Sequence, residues 1–320
     1  FYIELGARLD RDGVLGRLNM TPRVGTAVLL NPEGTSVIRS GYGIFYERTP
    51  SAAGAFEAFE GVVDTRYSSD GSIMVGTPQP FAHVSAPNLK TARSTTWDLG
   101  VDHRFNPRWS THIGVINRSG ANELLVRSVT DASGAALVLS SDGRSLYREV
   151  ETSVHYTGGP GVDVNASYVY SRARADLNAF TTFYDNVLWP VVAQNEYAPA
   201  RTNVPHRLLV RGRAMPIRNW LVVGTMDWRS GLPYSVVNAA LDFVGPRNDR
   251  QFPTYFRMDL GLEHKLKIGK LRPWVGVRAD NALSSFLPSD VQANLASPAF
   301  GTFYNSEYRQ FRIQVRFEQQ

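Results

Sequence analysis

The sequence predicts an all-β chain, an antiparallel transmembrane β-barrel with about twelve strands present, short turns at the periplasmic end and long extracellular loops. Three observations carry this reading. Side chains alternate apolar and polar with period two along segments of nine to twelve residues. Short and long connections alternate along the whole chain. The charges of each segment collect on one of its two faces.

The segments run at about 1–9, 22–30, 36–46, 94–105, 109–118, 145–157, 162–173, 205–214, 219–230, 255–266, 271–281 and 307–317. In the first, Phe1, Ile3, Leu5, Ala7 and Leu9 share a face opposite Tyr2, Glu4, Gly6 and Arg8. A strand sends successive side chains to opposite sides, so this is a strand with one apolar face. In the third, Ile38, Tyr42, Ile44 and Tyr46 oppose Val37, Arg39, Gly41, Gly43 and Phe45. The pattern recurs in the seventh (Val164, Ala166, Tyr168 and Tyr170 against Asp163, Asn165 and Ser167) and the ninth (Trp220, Val222, Met226 and Trp228 against Thr225, Asp227 and Arg229). It recurs again in the tenth (Phe256, Met258, Leu260 and Leu262 against Arg257, Asp259 and Glu263) and the twelfth (Phe311, Ile313, Val315 and Phe317 against Arg312, Gln314 and Arg316). Strands of this length match the tilted span of a bilayer, whereas ordinary globular strands average about five or six residues.

Five connections are tight: Asn31–Thr35, Asn106–Arg108, Gly158–Gly161, Met215–Arg218 and Lys267–Lys270, each supplied with Gly, Pro or Asn. The others, about 10–21, 47–93, 119–144, 174–204, 231–254 and 282–306, are long. Long loops at one end and short turns at the other is the layout of an outer-membrane barrel. Aromatic residues at the strand ends form two expected interface girdles. Trp109, Trp220, Phe105 and Phe317 lie at the inner rim; Tyr42, Tyr46, Trp97, Tyr170, Trp228 and Phe256 lie at the outer rim.

Composition narrows the function. The 320 residues include no Cys, which excludes disulfides and a cysteine nucleophile. The longest nearly apolar run, Val187–Ala193, is broken by Pro190 and is far shorter than a membrane helix. Net charge is +5, yet the arginines are dispersed without a basic run, so a nucleic-acid partner is not expected. The six histidines stand singly, and Asp10-Arg11-Asp12-Gly13 lacks the later Glu of a calcium loop; no metal or cofactor is expected. The chain opens inside a patterned segment and without Met, so a fragment or processed piece is expected.

Thr21-Pro22-Arg23-Val24-Gly25, the run Ile38 to Pro50, Ser167-Tyr168-Val169-Tyr170-Ser171 and His206-Arg207-Leu208 resemble the barrel of TonB-dependent outer-membrane receptors. So do Arg229-Ser230-Gly231-Leu232-Pro233-Tyr234, Asn281-Ala282-Leu283 and the closing run from Ser297 to Phe311. The nearest subgroup is the Oar-like one, whose members carry an N-terminal carboxypeptidase-regulatory-like domain. The resemblance implies a 22-stranded barrel around a plug in a Gram-negative outer membrane. It implies no catalysis, and uptake of a bulky solute through outer loops and lumen. Residues 1–320 then correspond to the C-terminal portion of the barrel, with plug and N-terminal strands absent. Implied partners are outer-membrane lipid, the TonB complex through the missing plug, and the barrel-assembly machinery through the last strand. Assembly signals usually end on an aromatic, whereas Phe317 is followed here by Glu318-Gln319-Gln320.

Arg207, Arg211, Arg213, Arg229, Arg257, Arg278 and Arg312 fall on the expected lumen face and are the candidate ligand residues. Their excess over nearby acids suggests an anionic solute. The alternative is a complete twelve-stranded porin or a lipolytic barrel similar to outer-membrane phospholipase A. For the latter, His83-Val84-Ser85 would supply base and nucleophile.

Overall fold

The computed structural model describes every residue except 69, 133, 160, 181–194, 270 and 318–320. The Val187–Ala193 run and Glu318–Gln320 therefore lie outside the described residues, as do Pro160 and Lys270 of two turns. In chain order the strands are β1 (Tyr2–Arg11), β2 (Leu18–Leu29), β3 (Ser36–Tyr46), β4 (Val62–Tyr67), β5 (Met74–Ser85), β6 (Arg93–Asn106), β7 (Trp109–Asp131) and β8 (Gly134–Thr157). They continue as β9 (Asp163–Asp176), β10 (Tyr197–Pro199), β11 (His206–Ile217), β12 (Trp220–Arg229), β13 (Pro233–Tyr234) and β14 (Arg250–Gln251). The last are β15 (Tyr255–Lys265), β16 (Trp274–Asp280), β17 (Pro288–Val291), β18 (Phe303–Ser306) and β19 (Gln310–Arg316). Two short helical turns, Ser51–Gly54 and Phe56–Ala58, precede β4.

Twelve of these strands pair in the order β1-β2-β3-β6-β7-β8-β9-β11-β12-β15-β16-β19, every pair antiparallel. They are the twelve expected segments, with shifted ends. Among the described residues β1 and β19 do not pair with each other, so the sheet is a curved wall with two open edges.

The wall has no apolar core. Leu99, Ile113, Val150, Val222, Leu260, Leu262, Val277 and Ile313 project from its outward side and are 38–80% exposed. Register puts the charges opposite: the row Asn165–Arg211–Thr225–Asp259 and the row Asp163–Arg213–Val223–Gly261–Arg278–Arg312 lie on the other face. An apolar outward belt over a polar inner face suits lipid outside and water inside. Gly43 serves this inner face, since a Cβ there would meet the Phe45 ring at 2.9 Å.

Two expected loops are structured. The 119–144 connection is the continuation of β7 and β8, strands of 23 and 24 residues that outrun a bilayer. Within 47–93, β4 and β5 form a hairpin, and β5 adds to β8 in parallel, Phe81 opposite Ala135 through Ser85 opposite Leu139. A second layer can therefore form at the loop end. There Phe56, Phe81, Val126, Leu137, Leu139 and Phe180, each below 7% exposure, pack into a cluster with Ala53 and Ala135. Each such side chain contributes roughly 1.5–3 kcal/mol by leaving water. The expected turn at 215–218 is also shorter than drawn: β11 runs to Ile217, leaving Arg218 and Asn219, with Asn219 at φ 68°.

Candidate functional site

The candidate luminal arginines divide by what they touch. Arg207 holds Asp227 with two hydrogen bonds, at 3.1 and 2.8 Å. Arg257 bridges Asp259 at 2.9 Å and Glu307 at 2.5 Å. Arg278 reaches Asp280 at 2.8 Å and Asp259 at 3.5 Å, and Arg312 reaches Asp280 at 2.6 Å. These four form ion pairs along the inner face that fasten β11 to β12, β15 to β16, and β16 to β19. Their positive charge is largely compensated, so they are wall fasteners before they are ligand groups.

Arg211, Arg213 and Arg229 differ. Arg211 stands opposite Asn165 and Thr225, and Arg213 opposite Asp163 and Val223; among the described residues neither is in an ion pair. Asp163 is instead bonded to His155 at 3.1 Å. Arg229 lies with its guanidinium 4.2 Å from the centre of the Tyr255 ring. The inner face therefore carries its uncompensated cations at mid-wall and at the loop end.

Above Arg229 lies a cavity of about 910 Å³, roofed by the 231–254 and 282–306 loops. Small β-ladders make its roof stable: β13 pairs with β14, and β17 with β18. Tyr234, Phe252 and Phe303 join the two loops through ring contacts of 5.3–6.0 Å. Asn248, at φ 59°, is almost fully buried and donates to the Pro199 carbonyl at 2.9 Å, tying the roof to β10. Arg247 is 6% exposed; its backbone N–H donates to Glu196, its guanidinium donates to Asn178 at 2.8 Å and sits over the Phe243 ring. Burial pushes the Arg247 guanidinium down to about 10, and the neighbouring Arg201 pushes the same way against Glu196.

The charged residues lining this cavity are Arg201, Arg229, Arg247 and Glu307, and Glu307 is already engaged by Arg257. A recess with aromatic walls and three arginines in its lining can hold an anion through guanidinium hydrogen bonds and a ring or apolar face through Tyr234 and Phe252. Of the seven arginines expected from sequence, only Arg229 lines it. Arg201, Arg247, Tyr234 and Phe252 were missed, and only Tyr234 had a signal, in the Arg229–Tyr234 run that carries part of the resemblance.

Trp109 stacks on Tyr156 at 4.4 Å and Trp220 on His264 at 4.4 Å near the short turns, with Phe317 exposed close by. Tyr42 pairs with Trp97, Tyr170 contacts His206, and Trp228 stands between Leu208 and Phe256 toward the loops. Among the described residues no hydrogen bond joins the His83 ring to the Ser85 hydroxyl, and His83 Nδ1 has no hydrogen-bond partner. The His83 ring is packed edge-on against Phe56 at 4.9 Å and Phe59 at 5.9 Å, while the backbone N–H of Ser85 donates to Glu57. Among the described residues no cluster of His, Asp and Glu could hold a metal ion. Asp12 instead caps its own turn, accepting from the backbone N–H groups of Val14, Leu15 and Thr49.

Comparison with known proteins agrees with this geometry. The profile of a family described as an outer membrane beta barrel domain matches residues 10–314. No curated protein sequence matches. Among solved structures, the outer membrane transporter YddB from Escherichia coli aligns with a TM-score of 0.68 at 15% identity, covering 98% of this chain and 43% of that one. The ferripyoverdine receptor of Pseudomonas aeruginosa aligns at 0.58 with 12% identity, covering 98% and 36%. The FrpB iron transporter of Neisseria meningitidis aligns at 0.57 with 12% identity, covering 93% and 39%. The chain thus spans less than half the length of these structures.

Proposed function

This chain belongs to the outer-membrane β-barrel domain family and is a Gram-negative outer-membrane protein; from that premise we propose that it is the C-terminal portion of the barrel of a TonB-dependent transporter of the Oar-like group. The observation that carries the proposal is the twelve-stranded wall with two open edges, which follows the wall of a transporter over 98% of its own length. Unpaired backbone groups facing lipid cost several kcal/mol each, so these edges call for further strands between β19 and β1. A porin or lipolytic barrel of twelve strands would close on itself, and the packing of His83 gives the lipolytic version no active site.

In this reading the short turns face the periplasm and the loops face outward. A bulky solute enters the loop-end cavity, where Arg201, Arg229 and Arg247 favour carboxylate or other anionic groups. It then passes Arg211 and Arg213 on its way down the lumen. The plug, the TonB complex and the barrel-assembly machinery are partners of the whole transporter.

The test uses cells carrying the full-length protein and fluorescent bulky solutes, one set bearing carboxylates and one neutral. Carboxylate-bearing solutes should accumulate only when the TonB complex is present. In Arg201→Gln/Arg229→Gln their uptake should fall about tenfold or more, as expected for losing charged hydrogen bonds of roughly 1.5–3 kcal/mol each. Equal uptake without TonB would make the protein a passive pore.

A further inference from the structure

The outward face of the wall changes character at its loop-side aromatic ring. Cross-strand pairing sets out successive rows on this face. The row Ser40–Leu99–Val115–Val150–Tyr170–His206 is followed by Tyr42–Trp97–Asn117–Arg148–Arg172. Then come Ile44–Thr95–Ser119–Leu146–Arg174 and Tyr46–Arg93–Ala121–Arg144. The lowest row is uncharged apart from its terminal His206 and is mostly apolar; the three above it hold Arg93, Arg144, Arg148, Arg172 and Arg174, all exposed, and no acid. The cluster extends across β6 to β9, three strand spacings or about 14 Å, and rows are about 7 Å apart.

What these arginines touch leaves them open to a ligand. Arg172 lies over the Tyr170 ring at 5.7 Å, and Arg144 and Arg174 flank the Tyr197 ring at 4.4 and 4.9 Å. Arg148 donates to Asn117 at 3.1 Å, and Arg174 donates to the Tyr197 carbonyl at 2.9 Å. Among the described residues none of the five is in an ion pair. The carboxylate that follows on the same side of β9, Asp176, is 9% exposed and accepts from the Arg144 backbone N–H and from Asn195. Stacked guanidinium groups are held by their faces, which leaves their N–H edges directed away from the ring. Five like charges this close repel one another unless an anion sits among them.

Aromatic side chains at strand ends mark the depth of the bilayer interface. The arginines lie in the rows that run from Tyr42 and Trp97 to Tyr46; a cationic surface level with that ring is at headgroup level, and guanidinium groups grip phosphate bidentately. We propose that this outward face of β6–β9 is a binding site for the phosphorylated headgroups of anionic lipid in the leaflet on the loop side. The site lies on the lipid side of the wall, separate from the cavity and the luminal arginines, and it stands whatever solute the lumen carries.

The full-length protein is placed in phosphatidylcholine nanodiscs doped with diphosphorylated lipid A, released into mild detergent, and its retained lipids are counted by native mass spectrometry. Wild type should retain the phosphorylated lipid, and its dephosphorylated form should be held no better than phosphatidylcholine. Arg148→Gln/Arg172→Gln should reduce retention at least about tenfold, while Arg211→Gln/Arg213→Gln, on the luminal face, should retain it as wild type does. The wild-type comparison of lipids needs no variant to fold. Equal retention of phosphorylated and dephosphorylated lipid would overturn the proposal, as would equal losses in both variants. Release of the lipid by millimolar inorganic phosphate alone would assign the site to free phosphate and overturn it too.

Discussion

The wall and the loop-end cap are built from the same kind of strand and use hydrophobicity in opposite senses. In the wall, Leu262 and Val277 point outward at 46% and 50% exposure, and what lies behind them is a ladder of ion pairs. In the cap, Leu137 and Leu139 are 0% exposed, because β5 and the turn at Phe56 cover them with a second layer. Alternation gives a strand one apolar face; only its surroundings decide whether that face meets lipid or another layer of protein. β8 does both within one strand of 24 residues: Val150 faces outward, while Leu137 and Leu139 lie in the cap core.

The contrast is sharpest for truncation. Leu137→Ala should destabilise the cap by about 2–5 kcal/mol, since the surrounding rings cannot refill the space. Leu262→Ala should cost under about 1 kcal/mol, because lipid tails are as apolar as Leu and close the gap. Limited proteolysis of the full-length protein in lipid would read the first as faster cleavage within 47–93. Heat-resistant migration of the barrel should be unchanged in both. Equal cleavage of the two variants would mean that the cap is not an independently packed layer.

Charge inserted on the two faces comes next. Met226→Arg puts a cation at the lipid face, at a cost of about 2–4 kcal/mol near the midplane, and should hinder assembly; Val164→Arg, opposite Tyr156 at the short-turn rim, should hinder it less. Asn165→Arg and Thr225→Arg, one residue away and on the inner face, should assemble close to normally. Similar yields of all four in the outer membrane would break the assignment of faces.

The smallest effect is a pH dependence confined to the cap. Burial among Phe56 and Phe59 lowers the pKa of His83, against a backbone contact at Phe59 that raises it. The folded cap holds His83 neutral where the unfolded loop would already be protonated, so cap stability is complete above about pH 6.5 and declines as pH falls below it. The protection of β5 amides, measured relative to their intrinsic exchange at each pH, should fall between neutral pH and about pH 5 in the wild type and lose that dependence in His83→Phe. Wall strands should show no matching change.

The same contrast explains what could be read in advance. The wall was legible because Trp220 to Arg229 or Tyr255 to Lys265 keep strict period two, with charges confined to one side. The cap was not, because Leu124-Leu125-Val126 are consecutive apolar residues. There the pairing of β7 with β8 slips at Ala121/Glu123 and Glu123/Leu125, around Asn122 at φ 56°. Bulges of this kind erase the alternation that marks a strand. The parallel pairing of β5 with β8 joins residues about fifty positions apart, which no local pattern records. At the candidate site, alternation placed the arginines on the inner face, but the partners that separate Arg207 from Arg211 come from register across strands. The cavity arginines Arg201 and Arg247 come from loops, where there is no period to follow.

The central claim is that the apolar set of the wall faces lipid. These 320 residues hold no cysteine, so once any cysteine elsewhere in the full-length protein is replaced, a single introduced thiol labels one site. Single cysteines at Ile113, Val222, Leu262 and Val277, and at Asn165, Thr225 and Gln314, would carry a fluorophore in the full-length protein reconstituted into bilayers containing brominated lipid. The first set should be strongly quenched by the brominated chains and protected from aqueous iodide, and the second set should show the reverse. Quenching of the second set by brominated lipid, with the first open to iodide, would contradict the account.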